Sequence, residues 1–191
     1  EAPINGSRSE ARMSIPRFKD PAARAAMERN GYVVFPGFAE ALLPRLRAVY
    51  RDMLGAMPAS DPYFQLPMTG TNWIGDLALR ARILAEVGRI IAPELEVILD
   101  DHRLVGAGFR VKYSGDESFL PLHQDPTQGD EDRYYVMNII VPLVDTRSEN
   151  GALQVVPGSH RIMPKLRSLG LEDRADTLNL HEVVGPLTET I

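Results

Sequence analysis

Leu122-His123-Gln124-Asp125, followed by Glu149-Asn150-Gly151-Ala152-Leu153-Gln154-Val155-Val156-Pro157-Gly158-Ser159-His160-Arg161, is the part of this chain whose reading decides the fold. On an extended segment side chains alternate, so His123 and Asp125 point to the same face. An imidazole nitrogen beside a carboxylate oxygen is two thirds of a two-histidine, one-carboxylate facial site. Such a site holds non-haem Fe(II) and leaves positions open for a co-substrate and oxygen. The spacing alone decides little. With four His and 26 acidic residues in 191, about half of such chains would carry His-x-Asp or His-x-Glu by chance. The surroundings have to make the argument.

Upstream, the chain is written in helical grammar. Asp20-Pro21, then AARAAMERN, then Gly31 gives a cap, a proline suited to the first helical position and a glycine suited to a left-handed end. Tyr32-Val33-Val34-Phe35 reads as a short strand stopped by Pro36-Gly37. From about Ala39 to Met57, the residues Leu42, Leu43, Leu46, Val49, Tyr50, Met53 and Leu54 recur at helical spacing and predict a core-facing stripe. A second helix is expected from Asp76 to Ile91, ended by Pro93, with an apolar patch from Leu95 to Leu99 after it. Between the two helices lies PASDPYFQLPMTGTNW (58–73), rich in turn formers yet carrying Tyr63, Phe64, Met68 and Trp73. Apolar residues in such a loop either bury themselves beneath it or cover a substrate, and loops carry function more often than scaffold does. On the second reading Met68 and Trp73 are the substrate-facing candidates.

After His102 the period changes from 3.6 to two. Leu104–Tyr113, Phe119–Gln124, Tyr134–Leu143 and Ala152–Val156 read as strands separated by Gly, Asp, Asn and Pro turns. Helices followed by consecutive short strands predict an antiparallel sandwich or jelly roll with a helical layer packed outside. Arg110 and Lys112 share one strand face. Either they form a solvated edge or they hold the carboxylate of a 2-oxo acid. Asn138 is the single polar side chain in Val136–Pro142, on the face of Ile140 and Pro142, and its fixed partner is either structural or a ligand.

Composition narrows the function classes. A net charge of −5 with no basic run argues against a nucleic-acid binder. With no cysteine, disulfides, thiolate metal sites and cysteine nucleophiles are excluded, so any metal must sit on His and carboxylates. No apolar run approaches a membrane span and the start lacks a signal-type core, so a cytoplasmic location is expected.

The combination of Gly31-Tyr32-Val33-Val34-Phe35-Pro36-Gly37-Phe38, the His123-Gln124-Asp125 motif and ENGALQVVPGSHR resembles the phytanoyl-CoA dioxygenase-like family, over roughly residues 20 to 165. Those proteins are Fe(II)- and 2-oxoglutarate-dependent oxygenases. The resemblance implies a mainly β fold with N-terminal helices, built on a double-stranded β-helix (jelly roll, cupin-like). The polar, small residues at the start (EAPINGSRSEAR) read as a flexible leader over 1–15, and the resemblance implies one oxygenase domain over 16–191, with a helical layer at about 20–100 and a β-helix core at about 103–191.

Carried over by position, the resemblance makes His123 and Asp125 the first two iron ligands. It places Arg110, Lys112, Asn138 and Ile140 on the strands that line the 2-oxoglutarate pocket. His160 would order a turn rather than bind metal. Related halogenases have a small residue where Asp125 stands, so its presence implies hydroxylation or desaturation of a small organic substrate with dioxygen. The family also needs a distal histidine followed by an arginine for the far carboxylate of 2-oxoglutarate. After His160 the one histidine is His181, with no arginine beyond it. His181 is therefore the third-ligand candidate or an ordinary turn residue. Leu187–Ile191 reads as a strand beginning rather than a domain ending, so the β-helix is expected to be incomplete in this chain. Two other readings remain at this point: a non-catalytic jelly-roll relative lacking a complete iron site, and a cupin-type metal enzyme that does not use 2-oxoglutarate.

Overall fold

The structure is a computed structural model and describes residues 17–65, 68–113, 118, 122–125, 129–131, 133–161 and 187–191. Three α-helices come first in the chain. Helix α1 (Pro21–Asn30) forms as its sequence predicts: the Asp20 side chain accepts from Ala22 N at 2.9 Å, and Gly31 closes it at φ +82°, donating its N–H to Met27 O at 2.8 Å. Helix α2 (Leu43–Ala56) follows a 3-10 turn over Glu40–Leu42, and buries Leu46, Val49 and Met53 along one stripe.

Helix α3 (Leu77–Ile98) is capped by Asp76, whose Oδ1 accepts from Ala78 N and Leu79 N at 2.9 and 3.0 Å. It does not end before Pro93, as the sequence predicts, but runs through it. An interior proline removes one helical hydrogen bond and costs about 3 kcal/mol. The added turns bury Leu95 and bring Leu99, at the C-cap, into the second apolar cluster. Each fully buried side chain of that size contributes about 1.5–3 kcal/mol, enough to offset the break.

Helices α2 and α3 pack on one core. Leu42, Leu46, Val49, Met53, Ile83, Val87 and Ile90 interlock there beneath Tyr63, Ile74 and Phe109. The second cluster joins Phe18, Ala23 and Met27 of the α1 region to Leu99, and takes in Val33, Phe35, Tyr135 and Met137.

Strand β1 (Met68–Gly70) pairs antiparallel with β2 (Arg110–Lys112), matching Met68 to Lys112, Thr69 to Val111 and Gly70 to Arg110. Thr71 fastens this ribbon to the chain before β2. Its N–H donates to Phe109 O at 2.9 Å, and its buried hydroxyl accepts from Phe109 N at 2.7 Å and reaches Phe109 O at 3.2 Å. Replacing Thr71 with Val keeps the shape and strands the Phe109 N–H. That should cost about 1–3 kcal/mol and lower the melting temperature by roughly 2–12 °C in a thermal unfolding scan. An unchanged midpoint would contradict the assignment. Strand β3 (Gln154–Val155) pairs antiparallel with β4 (Glu189–Thr190), so the chain's last residues do take part in a strand.

A mainly β architecture is not what the described residues show. The helices run to 10, 14 and 22 residues, while no strand exceeds three. The expected strand at Leu104–Tyr113 shrinks to Arg110–Lys112 and that at Ala152–Val156 to Gln154–Val155, while the first half of Phe119–Gln124 falls outside the described residues. Tyr134–Leu143 keeps the alternation of a strand without a ladder. Tyr135 and Met137 pack on the α1 cluster, and Val141 and Leu143 on the α2–α3 core, whereas Asn138, Ile140 and Pro142 are exposed on the other face. Apolar spacing sets which side faces the core, but a strand also needs ladder hydrogen bonds from a neighbour. Among the described residues this segment has none.

Candidate metal centre

His123 and Asp125 meet as their spacing predicts. His123 Nε2 stands 3.4 Å from Asp125 Oδ1, with the two side chains 30% and 48% exposed, open enough for an ion and a co-substrate to enter. Two donors on one ion, each roughly 2.1 Å from it and cis to one another, are roughly 3 Å apart. The observed separation fits that arrangement. Asn138 completes the local picture. Its Nδ2 donates to the other carboxylate oxygen, Asp125 Oδ2. An amide on the outer oxygen fixes the rotation of the carboxylate, as outer-shell partners of metal ligands do. The exposed face of Tyr134–Leu143 is thus the face turned to this pair, with Ile140 beside Asn138 on it. Among the described residues no group of three His, Cys, Asp or Glu converges, and His181 lies outside them.

The other predicted site residues come together on the β1–β2 ribbon. Cross-strand partners and i, i+2 neighbours share a face, so Met68, Gly70, Arg110 and Lys112 lie on one side. Trp73 folds over the same end: the Arg110 guanidinium carbon is 5.8 Å from the centre of its ring. That is a cation–π contact. Lys112 reaches Gly151 O at 3.4 Å, which brings the Asn150-Gly151 turn onto the ribbon. Gly151 is held at φ +88°, and a Cβ there would press to 3.2 Å from Lys112 Cδ. A cleft of about 490 Å³ between α2 and α3, lined by Val49, Met53, Arg82 and Glu86 among others, includes neither His123 nor Asp125.

The turn Pro157–Arg161 seats on the end of α1. Gly158 N donates to Asn30 O at 2.7 Å, and Arg161 Nη2 donates to Glu28 O. The His160 ring lies so close to Gly31 that a Cβ on that glycine would stand 2.3 Å from Nδ1. His160 Nδ1 is buried, with no hydrogen-bond partner among the described residues. Burial, with the Arg161 charge beside it, holds the imidazole below the ordinary histidine range, against a smaller opposing effect of its bond to the Glu28 backbone. A lowered folded pKa means the unfolded chain takes up the proton first. The contribution of His160 to stability is therefore intact above the ordinary value near 6.5 and is lost as pH falls through that value toward the folded one. Melting scans from pH 8 to 5 should show a fall on the acid side that His160→Phe removes. A fall of equal size in the variant would contradict this.

The phytanoyl-CoA dioxygenase (PhyH) family matches residues 27–183, more than half of the chain. The chain belongs to that family. No curated protein and no solved structure matches it. As a member of the phytanoyl-CoA dioxygenase family it is an oxygenase, acting with dioxygen on a small molecule. The matched span contains all three motifs singled out above, and the last of them touches the other two, through the His160 ring on Gly31 and the Ser159 carbonyl on Gln124. Sequence reasoning missed these contacts. The Gln124 amide donates to Ser159 O at 2.9 Å, Gly31 was legible as a helix stop but not as the floor beneath His160, and nothing in the local sequence of Asn138 named Asp125 as its partner.

Proposed function

We propose that the chain is an Fe(II)- and 2-oxoglutarate-dependent dioxygenase that hydroxylates or otherwise oxidises a small organic substrate, on a double-stranded β-helix forming one domain over residues 16–191. The observation that carries this reading is the His123 Nε2–Asp125 Oδ1 approach of 3.4 Å, with Asn138 holding the outer oxygen, in a chain of this family. His123 and Asp125 are two of the iron's ligands, and His181 is the candidate for the third. When bound, the iron would bring dioxygen and 2-oxoglutarate together, so that dioxygen is the oxidant and takes two electrons from 2-oxoglutarate, leaving succinate and CO2, and two from the substrate C–H bond, a step the side chains themselves cannot perform.

The chain's own share is binding, orientation and exclusion of water. Asp125 keeps one oxygen beside His123 and gives the other to Asn138, so its rotation is set before anything binds. Arg110 and Lys112 offer two charge-assisted donors on one ribbon face to the carboxylates of 2-oxoglutarate. Ile140 supplies an apolar wall beside Asn138. Met68 and Trp73, on the face of those cations, form the surface that covers the substrate. No helix among the described residues is long and apolar enough to cross a membrane, and a cytoplasmic location is proposed with the rest. The test is turnover of 2-oxoglutarate without added substrate. Succinate should form only with Fe(II) present and should disappear in Asp125→Ala. Succinate at the same rate in that variant would reject the assignment.

A further inference from the structure

The residue between the two metal candidates has an assignment of its own. Side chains alternate along an extended segment, so Gln124 points away from the face that carries His123 and Asp125. It does not end in solvent. Its partly buried amide donates to the Ser159 carbonyl at 2.9 Å, 35 residues further along the chain. Ser159 opens the short 3-10 turn Ser159–Arg161, which is fixed to α1 at three points: Gly158 N on Asn30 O at 2.7 Å, Arg161 on Glu28 O, and the His160 ring on Gly31.

The α1 region is also where the opposite side of the site is anchored. Met27 and Ala23 of α1 share a cluster with Tyr135 and Met137, the neighbours of Asn138, and Asn138 donates to Asp125. The pair is therefore held from both sides by one helix. One route runs through Asn138. The other runs through the Ser159 carbonyl and Gln124.

We propose that Gln124 is a positioning residue of the metal centre: its bond to the Ser159 carbonyl transmits the seat of the Pro157–Arg161 turn on α1 to the geometry of His123 and Asp125. This rests on the metal reading above. An extended stretch with two ligands on one face swivels about its own axis unless the opposite face is held, and the Gln124 bond supplies such a hold. Ligands left free to swivel pay for their ordering when metal binds, so the metal should bind more weakly and its coordination should change.

The experiment uses Co(II) as the probe, read by its visible absorption during titration of the protein. Gln124→Met keeps the length of the side chain and removes the donor. Its Co(II) affinity should fall about tenfold, the low end of what outer-shell partners of metal ligands contribute, and the band at saturating metal should shift. His160→Ala loosens the same turn from its other end and should move affinity and band in the same direction, so the test survives if one variant folds poorly. Val87→Ala, in the α2–α3 core, is the control: it should lower the melting temperature and leave both affinity and band unchanged. A wild-type band and affinity in Gln124→Met, or an equal loss in Val87→Ala, overturns the proposal. Asp125→Ala separates the two levels. Lost binding there with unchanged Gln124→Met rejects this inference alone, whereas retained binding rejects the metal reading and the inference with it.

Discussion

Replacing Asp125 with alanine should lower Fe(II) affinity by well over the roughly 10–100-fold that loss of an outer-shell partner costs. The variant removes a donor atom that stands 3.4 Å from His123 Nε2, and it deprives the Asn138 amide of its acceptor. It should do so without unfolding the protein. The Asp125 side chain is about half exposed, so no apolar packing is lost and no fully buried partner is stranded. Anaerobic equilibrium dialysis, with the iron in each compartment measured, gives the affinity, and a thermal scan of the same sample gives the fold. The expected pair of results is lost binding with a midpoint within a few degrees of wild type. Near-wild-type affinity would mean that the carboxylate is not a ligand, whatever its spacing from His123.

Alanine at Gly31 should be far more damaging than alanine at Gly37, the other glycine among the described residues of the chain's first forty. Two costs add. The residue sits at φ +82°, where a side chain costs about 1–2 kcal/mol, and its Cβ would arrive 2.3 Å from His160 Nδ1, so the turn carrying His160 must lift. Together these should cost about 3 kcal/mol and lower the melting temperature by roughly 6–12 °C. Gly37 is the internal control. It has a similar φ of +73°, but the nearest atom to a Cβ there is Glu40 Oε1 at 3.7 Å. Gly37→Ala should show the backbone cost alone, about 1 kcal/mol. The difference between the two midpoints measures the His160 contact. Equal shifts would mean the turn yields freely and does not hold α1.

How much was legible follows from the range over which each signal acts. The ends of α1 are decided within a residue or two by Asp20, Pro21 and Gly31, and they form where expected. The stripe of α2 and the face shared by His123 and Asp125 depend only on the period of the backbone. Pro93 misled because its local penalty is outweighed by Leu95 and Leu99 finding apolar partners, which lie elsewhere in the chain. Met68–Gly70 reads as loop because three residues between a Pro-rich stretch and a turn carry no alternation, and what makes them a strand is the partner at Arg110–Lys112. The same limit applies at the site. Arg110, Lys112, Met68 and Trp73 were each singled out for their chemistry, but that they share one ribbon depends on a register no local pattern encodes. Asn138 was legible as a polar side chain needing a partner, and only the fold supplies Asp125.

The most direct test of the central claim, that His123 and Asp125 form part of an iron site that takes 2-oxoglutarate, is spectroscopic. Fe(II) and 2-oxoglutarate are added to the protein without oxygen, and the visible spectrum is searched for the charge-transfer band of an iron chelated by a 2-oxo acid. A band that needs both additions, and that is absent from His123→Ala and Asp125→Ala, is the predicted result. No band from the wild-type protein at saturating iron and 2-oxoglutarate, or a band that survives both substitutions, would contradict the account.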